Sequence, residues 1–170
     1  IGFTDVGGEG HVTIAGGNVY AYNFANRWDV PSSSIGGGGS KNSVGKLGNI
    51  NISGGYVYAY SALGTAIGAG SSKAKVGGDA TITITGGQVI AKSGIGAGIG
   101  GGSSCTGGGE SKINGGSATV TISGNPIIRT GSIGGGTTGA SNSKIGSAKI
   151  NISGGDIQAQ FVMEAGAKTT

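Results

Sequence analysis

Apolar and polar residues alternate strictly in five stretches of the chain. They are HVTIAGGNVYAY (11–22), NINISGGYVYAY (49–60), TITITGGQVIAK (81–92), TVTISGNPIIRT (119–130) and KINISGGDIQAQ (149–160). A period of two marks a strand with one buried face. Each stretch therefore predicts two strands, joined at a Gly-Gly corner whose glycines supply positive φ. The first strands turn Val12/Ile14, Ile50/Ile52, Ile82/Ile84, Val120/Ile122 and Ile150/Ile152 inward. The second strands add Val19, Val57, Val89, Ile127 and Ile157. The fourth stretch departs from the others. Asn125-Pro126 replaces the second glycine and Arg129 takes the place of the small inward residue, which predicts a bend there.

Two further elements recur between these stretches. One is SIGGGGS (34–40), AIGAGSS (66–72), GIGGGSS (98–104) and SIGGGTT (132–138). The other is SVGK (43–46), KVGG (75–78), KING (112–115) and KIGS (144–147). The opening IGFTDVGG (1–8) reads as a worn copy of both. Strand lengths stay constant while the spacing of repeats does not, so loops absorb the difference. That behaviour predicts an all-β fold, a parallel β-solenoid (β-helix) of about five coils, in which like residues stack at about 4.8 Å. The coils lie near 1–22, 35–60, 67–92, 99–130 and 133–160, within a single repeat domain spanning 1–170. A sandwich of hairpins is the rival, and the chemical likeness of the columns speaks against it.

Glycine supplies 42 of 170 residues. At about 1 kcal/mol per helical position, that density excludes a helical bundle. The chain lacks Gly-X-Y triplets and has only two prolines, which excludes collagen. Charged residues make up 11%, too few for a disordered charged tail. No apolar run is long enough for a transmembrane helix, so no membrane insertion is expected. The lone cysteine, Cys105 in a Gly/Ser loop, excludes an internal disulfide framework and a cysteine zinc site; it reads as an incidental thiol or a link between chains. The chain opens at Ile1 without a signal peptide, as a processed form or an excised piece would.

The pattern IGGG…ITIxGGxVxA, with GAGIGGG at 96–102, resembles the glycine-rich repeats of secreted and cell-surface parallel β-helix proteins. Such repeats are often labelled adhesin-like or carbohydrate-binding, and the likeness covers nearly the whole chain. It implies an extracellular or cell-surface location and a noncatalytic structural or adhesive role, while solenoids as a class host many functions.

The outward positions carry the candidate chemistry. All five tyrosines, Tyr20, Tyr22, Tyr56, Tyr58 and Tyr60, fall on the second strands of two adjacent repeats. The loop 23–34 leaves beside them and carries Phe24, Arg27, Trp28 and Asp29. Aromatic faces with polar neighbours suit stacking on the C–H face of a sugar. The same cluster suits a protein interface, or a small satellite core. Expected partners are thus a glycan or a surface protein, and copies of the chain stacked end to end into a fibre.

Lys75, Lys112 and Lys144 read as a basic column, either splayed into water or in contact with a polyanion. Nucleic acid is not expected, because charge is low and no recognition motif is present. The first strands present Thr, Asn and Ser outward, a face that suits either ice or cross-strand hydrogen-bond ladders. Asn51 and Asn151 begin glycosylation sequons.

Catalysis is poorly provided for, and no cofactor or metal is expected. His11 is the only histidine and lies about three coils from Cys105. Glu9 and Asp79 share a repeat position at a spacing an inverting glycosidase could use, but at a corner with no evident groove. The glycine runs lack the Lys-Ser/Thr of a phosphate loop, so they read as turns or close-packed backbone.

Overall fold

A computed structural model describes residues 7–24, 32–104, 113–138 and 144–163. These residues form thirteen strands, and no helix occurs among them. In chain order the strands are β1 (Gly10–Ile14), β2 (Asn18–Asn23), β3 (Ile35–Gly36), β4 (Gly48–Ile52), β5 (Tyr56–Ser61), β6 (Ile67–Gly68) and β7 (Ala80–Ile84). They continue as β8 (Gln88–Ser93), β9 (Ile99–Gly100), β10 (Ala118–Ile122), β11 (Ile127–Gly134), β12 (Ala148–Ile152) and β13 (Asp156–Met163).

Every strand pairing among the described residues is parallel, which disposes of the hairpin sandwich. One sheet has the order β1-β4-β7-β10-β12. The other runs β2-β5-β8-β11-β9-β6-β3, with β13 added alongside β11. This second sheet doubles back at β11. Residues 127–130 pair with β8, whereas Ile133 and Gly134 pair with β9. Register joins like positions of successive repeats: Ile14 to Ile52, Ile52 to Ile84, Ile84 to Ile122, and Ile122 to Ile152.

The core follows from the alternation. Ile50, Ile52, Ile82, Ile84, Val120 and Ile122 of the first sheet are buried. They face Val57, Val89, Ile128 and the small Ala59 and Ala91 of the second sheet. Ile35, Ile67, Ile99 and Ile133, which open the IGGG elements on the other arm of the second sheet, complete the core cluster. The predicted core holds in the middle repeats and thins at the ends. Val12, Val19, Ile150 and Ile157 are only partly buried, and Ile152 is 47% exposed. Among the described residues, strands β1 and β12 each have a neighbour on one side only, so half the cover is missing there.

The fourth repeat corrects the sequence reading. Ile128, not Ile127, pairs with Val89 and is buried, while Ile127 is exposed. Thr130, not Arg129, fills the small inward position, opposite Ala91 and Ala159. Asn125-Pro126 therefore inserts one residue at the corner, and a one-residue shift moves every following side chain to the other face. Elsewhere the corner is as expected: the second glycine of each pair takes a left-handed conformation, as at Gly55 with φ +87°.

The glycine-rich elements are held differently from the strands. One chain of backbone hydrogen bonds passes back and forth between the IGGG pieces and the short pieces that follow them. Gly38 donates to Gly8, Lys46 to Gly38, Gly70 to Lys46 and Gly78 to Gly70. Gly102 then donates to Gly78, Gly116 to Gly102, Gly136 to Gly116 and Gly146 to Gly136, all at 2.8–3.2 Å. Each piece is thus sandwiched between two pieces of the other kind. A Cβ at Gly102, Gly116 or Gly136 would penetrate a neighbouring backbone carbonyl, which is why these positions are glycine.

The same ladder makes Lys46, Gly78, Gly116 and Gly146 equivalent. Counting back three residues, Lys75 then matches Ile113. Counting back two, Lys144 matches Val76. Lys75 and Lys144 are both exposed, but they do not share a column, and Lys112 lies outside the described residues. Of the apolar residues that follow these three lysines, Ile113 is buried, whereas Val76 and Ile145 are exposed.

Candidate aromatic binding face

Alternation along β2 and β5 sends Val19, Ala21, Val57 and Ala59 toward the core and all five tyrosines outward. Phe24 follows β2 and joins them. Parallel register sets Tyr20 opposite Tyr58 and Tyr22 opposite Tyr60. The rings nevertheless meet on the diagonal, a distance aromatic side chains can reach. Tyr20 lies against Tyr56 at 5.6 Å between centroids, Tyr22 against Tyr58 at 5.5 Å, and Phe24 against Tyr60 at 5.6 Å. Tyr22 and Phe24 stack nearly parallel, 11° apart. The result is one slanted strip of six rings.

Exposure separates this strip from the core. Tyr20 is 60% exposed, Tyr22 54% and Phe24 70%, while Tyr56, Tyr58 and Tyr60 are half-buried beneath them. Such tilted pairs contribute about 0.5–1.5 kcal/mol each beyond the area they bury. The rings thus hold one another in place and still present open faces. Lys92 adds a cation, its Nζ 5.9 Å from the centre of the Tyr58 ring.

Past the strip, a groove of about 630 Å³ runs over β8, β11 and β13. Tyr60, Ile90, Lys92, Arg129, Gln158 and Gln160 line it, with Gly131 between them. Gly131 follows Thr130, so it stands where other repeats carry Tyr22, Tyr60, Lys92 and Gln160. A Cβ on Gly131 would meet nothing within 4 Å. The hollow therefore exists because this outward position has no side chain.

Arg129 is tied down at the groove's edge. Its Nη2 donates to the Asp156 carboxylate at 2.7 Å, and Nη1 donates to the carbonyls of Ile128 and Asp156. The hydrogen bond from Arg129 holds the Asp156 carboxyl below its usual range. A carboxyl depressed on folding stabilises the fold at pH above its unfolded value and loses that contribution as pH falls through the folded one. Wild-type protein should therefore lose more thermal stability than Asp156→Asn between neutral pH and about pH 3. The effect is small, because the pair is exposed. Parallel melting curves at the two pH values check it; an equal loss would mean the pair adds nothing.

Of the other residues singled out in the sequence, Arg27, Trp28, Asp29 and Cys105 lie outside the described residues. Asn51 and Asn151 are exposed on the outer face of the five-stranded sheet, in register with Thr13, Thr83 and Thr121. Glu9 sits 3.7 Å from His11, whereas the Asp79 carboxylate accepts the backbone N–H of Ser117. No cluster of three His, Cys, Asp or Glu able to hold a metal occurs among the described residues. Phe24, which the sequence placed beside the tyrosines, does join them, whereas the sequence reading missed Lys92 and the groove. The groove depends on the shifted register of the fourth repeat.

Comparison with protein-family models, with curated proteins and with solved structures finds no match to this chain.

Proposed function

We propose that the chain is a parallel β-solenoid of about five coils serving as a noncatalytic, extracellular or cell-surface adhesive module. Two regularities support the solenoid reading. Register joins only like positions of successive repeats, and the glycine ladder advances through the repeats in order. The observation that carries the adhesive reading is the strip of six aromatic rings, exposed on a sheet whose inner face is already filled. Exposed apolar patches of this kind mark interaction sites.

A second reading, a carbohydrate-binding module using the same face, is favoured by what stands beside the rings. Gln158 and Gln160 offer amides for hydroxyl groups, and Lys92 offers a cation. The double variant Tyr22→Ala/Tyr58→Ala tests both readings. Binding on a glycan array and to intact cell surfaces should fall below detection. Folding stability should drop by only about 1–2 kcal/mol, the worth of the lost ring contacts. Retained binding, or a collapse of the fold, would remove the strip from any role in adhesion. Electron microscopy of the same sample would show whether copies also join end to end.

A further inference from the structure

We propose that the groove over Gly131 is a subsite for a carboxylated sugar unit of an acidic polysaccharide, with Lys92 taking the carboxylate. The inference rests on the carbohydrate-binding reading and specifies its ligand. Charge is the first argument. Two cations line the groove, Lys92 and Arg129. Arg129 is neutralised by Asp156 at 2.7 Å. Lys92 has no carboxylate beside it in the lining, since no Asp or Glu lines the groove among the described residues. The site therefore offers one uncompensated positive charge, at one end.

Shape is the second argument. Lys92 is held against the Tyr58 ring, at the seam between strip and hollow. A polymer lying along the strip would bring its next unit over Gly131, where the missing side chain leaves room. That unit's apolar face would meet Tyr60 and Ile90. Its hydroxyls would meet the amides of Gln158 and Gln160, which can each donate and accept. A uronic acid combines these features: a flat C–H face, hydroxyls, and one carboxylate. A neutral sugar would leave Lys92 unpaired, and a dense polyanion such as a phosphate polymer would find a single cation and no use for the rings.

The test compares polygalacturonate with its fully methyl-esterified form, by affinity electrophoresis and titration calorimetry. Wild-type protein should bind the acid more tightly than the ester. Lys92→Gln should weaken acid binding at least about tenfold, the worth of a charge-assisted hydrogen bond, and leave ester binding unchanged. Gly131→Tyr, which fills open space and should fold, ought to weaken both. Equal wild-type affinity for acid and ester, with no effect of Lys92→Gln, would overturn the subsite and leave the carbohydrate-binding reading standing. Binding to neither polymer would overturn both. Loss of acid binding in Lys75→Gln as large as in Lys92→Gln would also overturn the subsite, because diffuse charge would then be holding the anion.

Discussion

Gly102→Ala is expected to destabilise the protein by about 3–6 kcal/mol, enough to leave much of it unfolded. The new methyl would stand 2.8 Å from the Gly78 nitrogen and closer still to the Gly70 carbonyl. Both are backbone atoms, so neither can swing aside as a flexible side chain would. Relief requires opening the glycine ladder, in which Gly102 donates to Gly78 and accepts from Gly116. Two hydrogen bonds and the packing around them are then lost together. Gly131→Ala is the matched control, since its methyl would project into open space. It should be neutral, or stabilise by about 0.4–1 kcal/mol through a less disordered unfolded state. Thermal melts of the two variants check the contrast, and similar melting points would show that the ladder contributes nothing.

Ile84→Ala should cost about 2–5 kcal/mol. Ile84 is fully buried at the centre of the five-stranded sheet, paired on one side with Ile52 and on the other with Ile122. Removing its side chain leaves a cavity walled by two identical neighbours, which cannot both collapse into it. Ile152 occupies the same column at the sheet edge and is half open to solvent. Its replacement by alanine should cost about 1 kcal/mol or less. Urea unfolding of both variants measures the difference. Equal costs would mean that the column is not a graded core.

Strand positions were legible in the sequence because period-two alternation is a local property, and it recurs in each repeat. Inward residues of the first, second and third repeats fell where Val12, Ile52 and Val89 suggested. The fourth repeat misled because Asn125-Pro126 looks like a substitution for glycine, yet it adds a residue. Sequence alignment without a gap then exchanged Ile127 with Ile128 and Arg129 with Thr130. Aligning KVGG with KING by their lysines failed for a related reason. Position in that element is set by which backbone amide enters the ladder; its mark is the glycine at Gly78, Gly116 and Gly146, not the lysine. The tyrosine cluster was legible, since two adjacent strands carry it in the same register. The diagonal lean of the rings, and the hollow over Gly131, depend on how neighbouring repeats meet in space.

The glycine ladder and the parallel sheets share one property: their bonds run from repeat to repeat. In the proposed solenoid this decides how the molecule carries mechanical load. Tension between its two ends pulls each repeat away from the next and stretches every ladder across that junction at once. An end repeat is held on one side only, so the load peels it first. Its departure pays out the 30–38 residues between equivalent isoleucines, such as Ile122 to Ile152 or Ile14 to Ile52. That is slack on the order of 100 Å. The remaining repeats keep their bonds; the aromatic strip, shared by the first two repeats, opens when that end peels and is kept when the other end yields first. A stack built this way yields in discrete lengths under load, one repeat at a time.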